Sequence, residues 1–128
     1  MSFELKDLKP RDADIVINNK KYDVKKFSMA AQIWCYYEFG NKENKNGLHI
    51  LKEKLEDGDL HASAKVIYYL LKDKSDFVDI DDFIERAAKF KNLEAIYKTL
   101  CKVMGYSQPE IEKIEKEVEL KKYSAATT

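Results

Sequence analysis

Two apolar periods divide this chain. Ile15 and Ile17 flank Val16, and Tyr22 and Val24 flank Asp23, a period of two that predicts two short strands. Asn18 and Asn19 stand between them and tolerate the left-handed backbone of a tight primed turn. A two-residue loop there sets Ile17 opposite Lys20 and Ile15 opposite Tyr22. A lone hairpin is marginal in water, so this one is expected to pack on helices.

From Ser28 the period lengthens. Ser28 suits a helix cap, the helix runs to about Phe39, and Gly40 suits the left-handed position after its end. "NKENKNG" reads as a polar loop closed by Gly47. Leu48, Leu51 and Leu55 then mark a short second helix that stops at Gly58. Asp59 caps a third, with Ala64, Ile67, Leu70 and Leu71 as its apolar stripe. After a break at "KSDF", Asp79 caps a fourth helix, Asp81 and Asp82 occupy its first turn, and Val78 is placed to staple onto Phe83. Phe83, Ala87 and Phe90 are its expected core side chains. A fifth follows Asn92, with Leu93, Ile96, Leu100 and Met104 on one side, and ends at Gly105. Ser107 to Glu110 form a capping box with Pro109 in the first turn of a Glu/Lys-rich last helix. Its seam is Ile111, Ile114 and Val118.

The pattern predicts a mainly α fold, a short N-terminal β-hairpin followed by a bundle of five to six short helices. Residues 1–12 read as an N-terminal arm, with Phe3, Leu5 and Leu8 as anchors. Residues 13–122 read as a single helical domain, and residues 123–128 as a disordered tail. A chain of 128 residues with 45% apolar side chains can bury one real core.

Charge narrows the function. The 23 basic and 23 acidic residues cancel, and only Arg11 and Arg86 are arginine. That argues against nucleic acid, whose phosphates favour a net basic, arginine-bearing footprint. Cys35 and Cys101 sit in apolar surroundings and read as buried thiols rather than a disulfide framework. No signal peptide and no membrane-length apolar run stands out, so a soluble cytoplasmic protein is expected.

Catalytic motifs do not stand out. His49 and His61 lack further ligands at zinc spacing, and both read as surface residues. Asp79, Asp81 and Asp82 lack the glycine and distal glutamate of a calcium loop; a helix start accounts for them. No phosphate-cradling glycine loop occurs, and no cofactor is expected. "FIERAAKFKNLEAIYKTLCKVMG" can be read as a helix-turn-helix, but two packed core helices are the simpler account.

The first helix is the unusual element. In "QIWCYYEFG" it carries the chain's only tryptophan. On a helical wheel Met29, Ile33 and Tyr37 form one stripe, with Ala30 and Trp34 beside it; Ala31, Cys35 and Phe39 form another nearly opposite. A helix apolar nearly all round is normally buried, so most of this stretch is expected in the core. A small domain that covers only one stripe leaves the other for a partner or a second copy. Trp34, Tyr37 and Phe39 here, and Ile111, Ile114 and Val118 in the last helix, are the candidate partner-binding residues.

"DIVINNKKYDVKKFSMAAQIWCYYEFG" is similar to the start of phage tail assembly chaperones, in which a strand, a tight turn and a second strand lead into an aromatic-rich helix. "LHASAKVIYYLLKDKSDFVDIDDFIERA" and "LEAIYKTLCKVMG" resemble the helices that follow. Asn19 stands where that family usually has glycine, and Trp-Cys-Tyr-Tyr replaces a more acidic run. The resemblance implies a non-enzymatic helper of long-tailed phages or prophages, active in the bacterial host cytoplasm and absent from the mature virion. Its implied partners are the helical tape measure protein, which it coats during virion morphogenesis, and the tail tube protein; an extended form made by translational frameshifting is also implied. Self-association is a further expectation. The alternative reading is a small helical phage regulatory or nucleic-acid-binding protein.

Overall fold

The computed structural model describes residues 9–40, 47–106, 111–113 and 116. The fold is mainly α, with one antiparallel hairpin ahead of the helices. Strands β1 (Ala13–Ile17) and β2 (Lys20–Val24) pair with Ile17 opposite Lys20 and Ile15 opposite Tyr22. Asn18 and Asn19 take φ of 51° and 68°, the left-handed pair that the two-residue turn needs. Ile15, Ile17 and Val24 are buried, and β1 lies on the last described long helix. Each such side chain contributes about 1.5 to 3 kcal/mol by leaving water. The outer edge of β2 is covered at its Asp23–Val24 end. Val24 bridges to Leu71, Lys25 N–H donates to the Leu70 carbonyl at 2.8 Å, and Lys72 N–H donates to the Asp23 carbonyl at 3.0 Å.

Helix α1 (Met29–Phe39) starts at Ser28, whose hydroxyl accepts from Ala31 N–H at 3.3 Å. It ends at Gly40, where φ is 75° but ψ is 166°, so the chain leaves in an extended glycine conformation rather than a left-handed turn. Helix α2 (Gly47–Glu56) begins at Gly47, which is its first residue rather than the close of a loop. Ile50, Leu51 and Leu55 bury its inner face. Helix α3 (Leu60–Leu70) is capped by Asp59, and Ala64, Ile67, Leu70 and Leu71 are all buried as the spacing predicts.

Helix α4 (Ile80–Ala87) starts where expected, with the Asp79 carboxylate accepting from Asp82 N–H at 2.8 Å. The expected staple is absent. Val78 is 89% exposed, and Phe77 packs edge-on against Phe83 instead, at 4.9 Å between ring centroids. Val78 is held by its backbone, whose N–H donates to Asp82 Oδ2 at 3.0 Å, so its side chain turns outward. Phe90 also departs from expectation. Helix α4 stops after Ala87, Phe90–Asn92 form a separate 3-10 turn, and Phe90 is 59% exposed. Buried Asn92 satisfies the end of α4 by donating from Nδ2 to the Ala87 carbonyl at 2.9 Å.

Helix α5 (Leu93–Met104) is the centre of the molecule. Ile96, Leu100, Cys101, Val103 and Met104 are all fully buried, and α5 touches both β1 and α3. Gly105 ends it in the left-handed conformation at φ 103°. Ile111 is also fully buried in this core, whereas Ile114 and Val118 lie outside the described residues, as do the proposed loop at 41–46, the arm before Lys9, the 107–110 capping box and the tail. The expectation that most of α1 lies in the core is corrected: only Ala31 and Cys35 of it are buried, and it packs mainly on α2 and lightly on α3.

Candidate functional site

The two stripes of α1 have opposite fates. Ala31 and Cys35 are fully buried and Phe39 is half-buried, so this stripe faces the core. Met29 is 68% exposed, Ile33 52% and Tyr37 78%, so the opposite stripe faces solvent along the whole helix. Tyr36 joins it, its ring edge-on to Tyr37 at 5.3 Å. Four large apolar or aromatic side chains on adjoining turns form a continuous outer patch, the kind of surface that marks a contact site.

Side-chain size decides which stripe turns inward. Ala31 and Cys35 are small and let the neighbouring helix come close. Gly47 completes this contact: a Cβ on it would overlap the Gln32 backbone. Burial pushes the Cys35 thiol up to about 12, with Glu38 as the lesser cause, so the thiol stays protonated and inert.

The sequence-predicted partner residues that the structure describes are not brought together. Tyr37 lies on the outer patch. Trp34 is half-buried at the side of α1, stacked on Tyr69 of α3 at 4.6 Å and met edge-on by Phe39 at 5.8 Å. Lys54 lies over the Phe39 ring at 5.5 Å, and Glu38 pairs with Lys65 at 3.4 Å, closing this side with polar groups. Ile111 belongs to the protein's own core and is not available to a partner. Met29, Ile33 and Tyr36 are the patch members that the candidate set omitted. The signal for them was the contrast between a small-residue stripe and a large-residue one.

A second cluster is polar. Lys20 donates to the Asp76 carboxylate, which also accepts from the Tyr22 hydroxyl at 2.9 Å. Arg86 donates to Asp82 at 3.2 Å and lies over the Phe77 ring at 4.5 Å. Shallow clefts of about 170 and 310 Å³ flank these groups. Their charges are spent on one another, and the cluster clamps the hairpin to the segment before α4. Among the described residues no group of three or more His, Cys, Asp or Glu could hold a metal ion.

Helix α5 is buried on almost every side, with Leu93, Ile96, Tyr97, Thr99 and Leu100 all inside. It therefore has no broad free face to lay in a DNA groove. Among the described residues no helix is long and apolar enough to cross a membrane. Compared with known proteins, the chain matches no family model, no curated protein and no solved structure.

Proposed function

We propose that this protein is a non-enzymatic assembly chaperone that holds a helical client on the outer face of α1. The exposed row of Met29, Ile33, Tyr36 and Tyr37 carries this reading. A helix-shaped apolar row of this kind suits an amphipathic helix laid alongside it. The resemblance to phage tail assembly chaperones supplies the client: the tape measure protein of a long-tailed phage or prophage, with the tail tube protein as a further contact. The work would be done in the bacterial host cytoplasm, and the chaperone would leave before the virion is complete. Many copies, each weakly held, gain avidity along one long client and still detach.

Co-expression with the tape measure protein of the same tail gene cluster tests this. The wild-type chain is expected to be retained by the tagged client. An Ile33→Ser/Tyr37→Ser variant is expected to be lost while its stability changes by about 0.5 kcal/mol or less per exposed site. No retention of wild type, with both partners folded, overturns the proposal.

A further inference from the structure

The outer face of α1 is apolar along its length, and two cations precede it in the chain. Lys25 and Lys26 are both exposed and stand just before the helix, next to its positive N-terminus. Neither lysine side chain has an ion-pair partner among the described residues. Asp12 takes the Lys26 backbone N–H at 2.8 Å and pairs its other oxygen with Lys72 at 3.7 Å. Lys74, which burial and then Lys25 pull below its ordinary value, is turned away to the Leu71 carbonyl at 2.8 Å. At the other end Glu38 beside Tyr37 is already paired with Lys65 at 3.4 Å, so the unbalanced charge lies at the lysine end.

This arrangement leaves α1 without charge support from its own turns. A helix favours acids in its first turn and bases in its last, yet α1 has neither. Two lysines stand instead three and two positions before the Ser28 cap. A bound acidic group at that end would neutralise the lysine pair.

We infer that the α1 face is directional: the client helix docks antiparallel to α1, with acidic residues of its C-terminal part over Lys25 and Lys26. The inference rests on the chaperone reading. Antiparallel docking sets the client's negative C-terminal end against the positive end of α1, so the dipole pairing and the lysine charges favour the same direction. Apolar anchors at helical spacing fill the Met29–Ile33–Tyr37 row, and the charged ends fix direction.

Two synthetic amphipathic peptides of about 20 residues test it, roughly the length of a docking helix with capped ends. They share one apolar seam. One carries glutamates in its C-terminal third and lysines in its N-terminal third; the other has these ends exchanged. Fluorescence anisotropy at about 0.05 M salt is expected to favour the first by about tenfold, and the preference should shrink near 0.5 M salt. A Lys25→Glu/Lys26→Glu variant is expected to reverse the preference and to melt no lower than wild type. Equal affinities, binding of neither peptide, or a preference unchanged in the variant overturns the inference. A concentration-dependent dimer abolished by Tyr37→Ser also overturns it, because a second copy then occupies the face. Equal retention of the tape measure protein by wild type and the lysine variant overturns the direction and leaves the chaperone reading standing. No retention by either overturns both.

Discussion

Trp34 lies on Tyr69 with ring centroids 4.6 Å apart and planes 17° apart. This stack joins α1 to α3 at the border between core and surface. Trp34→Ala is expected to cost about 2 to 3 kcal/mol, below the roughly 3 to 5 of a fully buried tryptophan. A double-mutant cycle with Tyr69→Ala should show coupling of about 0.5 to 1.5 kcal/mol. Additive losses in urea melts would mean that the stack contributes only area.

Asp76 ties the hairpin to the chain before α4. Donation from Lys20, then from Tyr22, holds its carboxyl below the ordinary 3.8. A group with a depressed folded value contributes its stability above the unfolded value and loses it as pH falls through the folded one. Asp76→Asn should therefore lower Tm at pH 7, and the gap from wild type should close as pH falls below about 4. Because the pair is exposed, added salt should narrow the same gap. A gap that is constant from pH 7 to about 2.5 would contradict this.

Gly47 is required by approach rather than by backbone angle. Alanine would improve the helix propensity of α2 but drive a Cβ into the Gln32 backbone. Gly47→Ala is expected to destabilise by about 1 to 3 kcal/mol, because two backbones must move apart. Denaturant unfolding measures it, and a neutral or stabilising result would show that the α1–α2 contact is loose.

Cys35 should resist labelling. It is fully buried, and its thiol is pushed up to about 12. Thiol reagents at pH 8 are expected to modify it only as fast as the core opens, with the rate rising steeply through the urea transition. Rapid labelling of native protein, located at Cys35 by mass spectrometry, would show that α1 detaches without global unfolding.

Short-range features were legible in the sequence. The Asn18-Asn19 turn and the register of Ile15 on Tyr22 follow from contacts within a few residues. The starts at Ser28, Asp59 and Asp79, and the stop at Gly105, do too. Such signals need no knowledge of distant chain. Errors arose where a residue's fate depends on what packs against it. Apolar character alone places Phe90 and Val78 inward, yet both are exposed. Ile111 was offered to a partner and is buried.

By itself, the sequence determined the hairpin, its turn and register, and where most helices begin and end, because backbone hydrogen bonds and caps act locally. Only the tertiary structure decided which side of α1 meets the core. A helix apolar on both sides has no local preference between them. The choice fell to the small Ala31–Cys35 stripe and the missing side chain of Gly47, which let α2 pack close and left Met29, Ile33 and Tyr37 facing outward.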